Sequence, residues 1–516
     1  MINLPLVDIA IIIAYLIAMV LVGFYFSRRN TSADQFTRAA GRIPGWAIGI
    51  SIYATFLSSN TFLGVPGKAF GGNWNAFVFS LSMPLAAWFA TRYFVPFYRS
   101  TGEVSAYTNL EKRFGTWART YAVTCFLLTQ LARIGSIFFG ISLTLQALTS
   151  YSLVTIMVIV GICIVIYTVM GGIEAVIWTE VVQGILKTLG AVIIIYLVVK
   201  EVPGGFSDIL TAGLSENKFS LGSMQFDLTA SSFWVVLLYG FFINLNNFGM
   251  DQNYVQRYHT ATSPDEANKS VWLCVWIYVP VSLLFFIIGT CLYTYYMQNP
   301  ALLNNIKLQA ASEQLGRGIN DQQVILLAAR MLPSDYADKV MPHFMVHMIP
   351  TGLLGLIVSA ILSAAMSTIS SGMNASATVF TEDIYKRYFN QNSTEKNSLR
   401  VLYVATVVVG LAGMLCGIAM IGIKSLLDVW WTLSGIFAGG MLGLFLLGLI
   451  SKHATNRDAL TGTITGILVI LWMTFSYLIP PQYGFLRNPL HANMIIVVGT
   501  LSIFLAGNLS LKLRKK

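Results

Sequence analysis

An all-α integral membrane fold with about thirteen transmembrane helices is predicted by three features of the 516-residue sequence. Hydrophobic residues make up 56% of it and charged residues only 10%, against about 25% charged in soluble proteins. That balance excludes an ordinary globular enzyme and a disordered or nucleic-acid-binding chain. Apolar runs long enough to cross a hydrocarbon core of about 30 Å recur from end to end. Lys and Arg gather in alternate loops, as they do on the cytoplasmic side of membrane proteins.

In chain order the predicted spans are 5-26, 44-70, 74-98, 118-148, 152-170, 176-200, 232-256, 272-297, 346-385, 401-422, 425-450, 458-480 and 490-511. The first has no basic segment before it and no small-residue cleavage site after it, and it ends at Ser27-Arg28-Arg29. It therefore reads as a retained span with the N-terminus outside and the C-terminus cytoplasmic. In that orientation the inner loops and their edges hold 20 Lys and Arg and the outer loops 7, although the two longest loops, near 201-231 and 298-345, are outer. Topology thus accounts for the net charge of +10 without an acidic partner. The inner loop near 171-175 is very short. The spans at 44-70, 118-148 and 346-385 are too long for one untilted crossing. Cys125, Cys163, Cys274, Cys291 and Cys416 lie in apolar runs and read as small core residues. No soluble domain, nucleophile elbow, phosphate-binding loop or acid pair is present, and His343 and His347, spaced i, i+4, lack a third metal ligand. No enzyme is expected.

Irregular backbone survives in lipid only where it lines a cavity or is buried in protein, so polar interruptions of apolar spans mark candidate sites. The second span carries one at Ala54-Thr55-Phe56-Leu57-Ser58-Ser59-Asn60-Thr61, followed by Gly64, Pro66 and Gly67. The seventh carries another at Asn244-Leu245-Asn246-Asn247, running to Asp251. The two lie five spans apart, which puts them at matching positions of two inverted halves, spans two to six and seven to eleven. Such a pair points to a midplane binding site in a transporter, although the same residue types also let helices pack closely. In the ninth span Ala364, Ser367, Thr368 and Ser371 share one helical face. Hydroxyls and freed carbonyls are neutral oxygen donors that suit a cation shedding its water, so a sodium site is expected between this face and the break at 54-58; a small-residue packing face is the alternative. Charges inside spans are few, among them Asp8, Lys68, Arg92, Arg133, Glu180, Lys187 and Asp251, and each needs a partner or a function. Arg133 lies too deep to snorkel, and its planar fork matches a carboxylate, or else it pairs with carbonyls or an internal acid.

Several stretches resemble the sodium/solute symporter family along nearly the whole chain: Gly41 to Trp46, Ala54 to Phe62, Tyr167 to Glu180, Asp251 to Tyr258, Ser367 to Asn374 and Thr381 to Tyr385. The resemblance implies a five-plus-five inverted repeat, with 44-200 as the first half and 232-450 as the second. It adds an extra N-terminal helix at 5-26 and two extra C-terminal helices at 458-511. It implies sodium-coupled alternating access, with a main sodium site at Ala54, Leu57, Ala364, Ser367 and Thr368. The likeness is strongest to the sialic acid branch, in which an arginine at the place of Arg133 grips the substrate carboxylate. The substrate contacts implied here are Phe56, Ser58, Ser59, Thr61, Ser80, Arg133 and Asn247, with Phe56 replacing a threonine and Ser80 a glutamine of that branch. A second sodium site is implied at Glu180, Ser367, Ser370 and Ser371, the glutamate standing for an aspartate. The expected protein is an inner-membrane symporter importing sialic acid with sodium as coupling ion, surrounded by membrane lipid, with neither nucleic acid nor an obligate protein partner. A symporter of a neutral sugar or polyol is the alternative, and a channel or transporter-like sensor a distant one.

Overall fold

Apart from one isolated bridge between Ile43 and Ala261, the packed elements are helices in the structure, a computed structural model that describes residues 4–27, 32–149, 151–421 and 426–515. Helix α1 (Leu6–Ser27) lies at the edge, and only 22% of its apolar stretch is buried. Its Asp8 carboxylate accepts hydrogen bonds from the Gly352 and Gly355 amides, at 2.7 and 2.6 Å. A buried anion there caps the start of a later helix and meets its positive end, which accounts for one of the in-span charges.

The second span is two helices, α2 (Gly45–Phe56) and α3 (Ser59–Gly71), bent by 57° at Leu57 and Ser58, which are extended. Lys218, from the loop near 201-231, caps the far end of α3 by donating to Phe70 O (2.8 Å) and Gly72 O (3.0 Å). The stretch from Trp74 to Thr101 is a chain of short helices with a π-helical segment at Ala90–Phe94. Helix α4 (Thr116–Leu148) is unbroken over its 33 residues. Helix α5 (Leu153–Glu201) contains two predicted spans, which meet at Gly172. The expected inner loop at 171-175 is therefore reduced to one glycine bend, whose φ of 58° with ψ of −167° is a conformation other residues adopt only under strain.

The seventh span corrects the sequence reading. The asparagine run does not interrupt the helix: α6 (Phe233–Met250) passes through Asn244, Asn246 and Asn247 and ends at Asp251. Asp251 accepts the Asn253 amide at 2.9 Å and so caps the next helix, α7 (Gln252–Thr260). Helix α8 (Pro264–Gln298) follows, and the connection after it is itself helical over Pro300–Leu315, Gln322–Arg330 and Pro333–Met348. Helix α9 (Leu353–Val379), extended by a π-helix to Phe389, is the most enclosed, with 89% of its apolar stretch buried. Helices α10 (Glu395–Ala419), α11 (Leu426–Ile450), α12 (Asn456–Phe475) and α13 (Met494–Lys515) complete the bundle. Among the described residues ten helices are long and apolar enough to span a membrane, and the bent pair α2–α3 makes eleven. The shorter Leu153–Val169 and the Trp74–Thr101 segment take the two remaining predicted places.

Candidate functional site

The site is organised by the break between α2 and α3. A helix end leaves its last carbonyls without intrahelical donors, and here those carbonyls are taken up by other helices. Lys187 of α5, fully buried, donates from Nζ to Ala54 O (2.7 Å), Leu57 O (3.0 Å) and Ser367 Oγ (2.5 Å). The Ser367 hydroxyl lies 3.1 Å from Ala54 O and 3.2 Å from Ala364 O, and the Thr368 hydroxyl 3.3 Å from Thr55 O and 3.2 Å from Ala364 O. Lys187 Nζ thus meets three of the five expected residues, Ala54, Leu57 and Ser367, while Ala364 O joins the Ser367 and Thr368 hydroxyls beside them. The sequence marks Lys187 as a charge inside a span. It does not say that the side chain ends among these five residues.

The second group forms around Glu180, one residue type of the same helix and seven positions earlier. Arg257 of α7 puts Nη2 2.7 and 3.0 Å from the two Glu180 oxygens, with side-chain exposures of 1% and 0%. Arg257 also donates to Ser371 Oγ (2.7 Å), Thr55 Oγ1 (3.0 Å) and, through Nε, Ser51 Oγ (2.8 Å), and the Ser51 and Ser371 hydroxyls bond Glu180 in turn. Two of the expected members are elsewhere. Ser370 donates to Ser367 O at 3.1 Å, a backbone bond along its own helix, and Ser367 faces Lys187. Ser370 lies about 100° around the helix from Ser371, so its hydroxyl turns back along α9 while that of Ser371 meets Glu180.

Beside the break lies a cavity lined by Phe56, Ser58, Thr61, Ser80, Arg133 and Asn247, six of the seven expected contacts. Ser59 is not among them: its hydroxyl is fully buried on the opposite side, 3.5 Å from Ile137 O. Arg133 reaches the cavity from α4, where its Nη2 donates to Thr55 O (3.0 Å) and to the Tyr254 hydroxyl (3.3 Å), and its Nη1 stands 3.7 Å from Asp251. Phe56 stacks on Tyr254 with ring centroids 4.6 Å apart and meets Tyr278 at 5.5 Å, closing one side with aromatic surface. Ser80 is tied to Ser282, 2.7 Å between hydroxyl oxygens.

Sequence reasoning missed several members of this wall, including Asn60, Asn246 and Ser434. Asn60 Oδ1, Asn246 Oδ1 and Ser434 Oγ are buried without a hydrogen-bond partner among the described residues. Orphaned polar atoms grouped on one cavity wall are the mark of a polar ligand that satisfies them. Asn246 was legible as part of the asparagine run. Ser434, on the eleventh span, carried no signal.

Comparison with known proteins agrees with this architecture. The model of the sodium:solute symporter family matches residues 36–466. The chain is 32% identical to the sodium/sialic acid symporter NanT of Aliivibrio fischeri, covering 96% of this chain and 91% of that one. It is also 32% identical to the sodium/sialic acid symporter SiaT of Proteus mirabilis, over 98% and 94% of the two chains. The sodium/glucose cotransporter of Vibrio parahaemolyticus is 25% identical over 96% and 90%. A substrate-bound, outward-open Na+-coupled sialic acid symporter superposes with a TM-score of 0.85 at 31% identity, over 99% and 98% of the chains. The nucleobase-cation-symport transporter Mhp1 shares the fold at a TM-score of 0.55 and 13% identity. Spanning a membrane many times and matched along four-fifths of its length by the family model, the chain belongs to the sodium:solute symporter family.

Proposed function

We propose that this chain is a secondary active symporter that imports sialic acid (N-acetylneuraminate) by alternating access, coupled to sodium as its relatives are named to be. The observation that carries the substrate is Arg133, a guanidinium at the wall of a buried cavity whose other side offers hydroxyls, amides and aromatic surface. A planar fork binds a carboxylate bidentately, and Ser58, Thr61, Asn60, Asn246 and Asn247 supply partners for a polyhydroxylated ring. Phe56 and Ser80 shape the remainder. Substrate bound to Arg133 draws on the same guanidinium that holds Thr55 O, so occupancy of the cavity and the geometry of the α2–α3 break are linked. The helices from 44-200 and 232-450 form the two inverted halves, with the extra helices 5-26 and 458-511 outside them. The charge distribution supports an inner-membrane placement with the N-terminus outside and the C-terminus cytoplasmic.

The experiment is uptake of labelled sialic acid into proteoliposomes, with and without an inward sodium gradient, competed by glucose, galactose, inositol and proline. Saturable, sodium-stimulated uptake that only sialic acids compete, and that Arg133→Ala abolishes, supports the assignment. Transport of a neutral competitor instead, unaffected by Arg133→Ala, overturns it.

A further inference from the structure

Three of the five residues expected to hold the main sodium ion, Ala54, Leu57 and Ser367, meet the ammonium of the chain's own Lys187, and the other two, Ala364 and Thr368, are bonded beside them. We propose that Lys187 is the resident cation of this pocket, a tethered ammonium that joins the broken helix to α9 and keeps free sodium out. This rests on the functional reading only in taking the pocket as the family's main cation pocket.

Three observations carry it. An ammonium has three N–H donors and no acceptor, and three oxygens receive them: Ala54 O, Leu57 O and Ser367 Oγ, all within 3.0 Å. These are the carbonyls and hydroxyl of which a sodium cage would be made, so ion and ammonium require the same lone pairs. Next, Lys187 forms no ion pair among the described residues; Glu180, seven positions earlier, is taken by Arg257. Its charge is balanced as a bound metal ion's would be, by backbone dipoles at the negative end of α2. Finally, Lys187 is fully buried together with Ala54, Leu57, Ala364 and Ser367, and Thr368 is 1% exposed, so the enclosure is complete around Nζ. The Glu180 group repeats the arrangement with a guanidinium, and both groups therefore hold a basic side chain. Any sodium the chain carries has to be held by other oxygens.

The test needs no substrate and no gradient, so it is separate from the assignment of sialic acid. Thermal unfolding of the purified wild type, Ser367→Ala, Lys187→Ala and Lys187→Ala/Ser367→Ala proteins is followed in sodium chloride and in choline chloride of equal strength. The expected result is a sodium-specific rise in Tm for Lys187→Ala that exceeds any in the wild type by several degrees, the excess being removed by the added Ser367→Ala. A sodium-specific rise in the wild type that Ser367→Ala removes, or none in a folded Lys187→Ala protein, overturns the proposal. Direct binding of 22Na+ to the wild type covers the case in which the alanine variant does not fold. No binding that depends on Ser367 is expected, and Ser367-dependent binding overturns the proposal.

Discussion

Lys187 of α5 and Arg257 of α7, whose partner Glu180 lies seven residues before Lys187, are buried cations neutralised in opposite ways. Arg257 meets a full negative charge, Glu180, within a shell of Ser51, Thr55 and Ser371 hydroxyls. Lys187 meets only neutral oxygens. The difference teaches that the first is an ion pair, whose halves depend on each other, whereas the second is a guest in a cage of neutral oxygens. Removing one half of a buried pair strands a charge; removing a guest strands only dipoles.

The sharpest way to break this comparison is Arg257→Met, which leaves Glu180 buried and uncompensated. It is expected to cost about 3–5 kcal/mol, seen as loss of folded protein in thermal unfolding, with most of it recovered when Glu180→Gln is added. A single variant as stable as the wild type would show that Glu180 is not held as an ion pair. Arg133→Ala comes next: losing charge-assisted bonds worth about 1.5–3 kcal/mol should weaken sialic acid binding about 10–100-fold by calorimetry. Thermal stability should change less than in Arg257→Met, because Asp251 keeps the Asn253 amide and side chain as donors. Lys187→Ala in sodium-free solution is expected to cost about 1–3 kcal/mol for the carbonyls left unpaired, a loss that added sodium restores. Equal losses with and without sodium would equate the lysine with an ordinary structural cation. The smallest effect separates two neighbours in the broken segment. Thr61→Ala, on the cavity wall, should lower the sialic acid affinity about 2–10-fold, the worth of one neutral hydrogen bond, while Ser59→Ala should leave it unchanged within error.

Much of the fold was legible because lipid imposes length and apolarity on every span, and because hydroxyls and glycines in such a run cannot be hidden. The break at Leu57 and Ser58 was readable for that reason. The asparagine run misled because polar side chains alone do not break a helix. Asn244 donates to Ser82 Oγ at 3.1 Å and Asn246 turns to the cavity, and the helix stops only where Asp251 caps the next one. Periodicity separated the face of Ser367, Thr368 and Ser371 from the rest of α9 but not Ser370 from Ser371, since neighbouring positions differ by only 100° around a helix. Lys187 was visible as a charge, and its spacing of seven from Glu180 puts both on one face about 10 Å apart. Where a long flexible stem ends is set by which helix lies opposite, and that belongs to tertiary packing.

The tether on Lys187 also has an electrical consequence. A sodium ion released inside moves one positive charge inward in each cycle, whereas an ammonium that stays attached to α5 returns with the protein and moves none. A sialate anion imported without a compensating cation carries its negative charge against an inside-negative potential, at about 2.3 kcal/mol per 100 mV, or roughly 50-fold in the concentration ratio it can sustain. The current recorded per sialate entering a voltage-clamped vesicle therefore counts the cations that travel, and the one at Ala54, Leu57 and Ser367 is not among them.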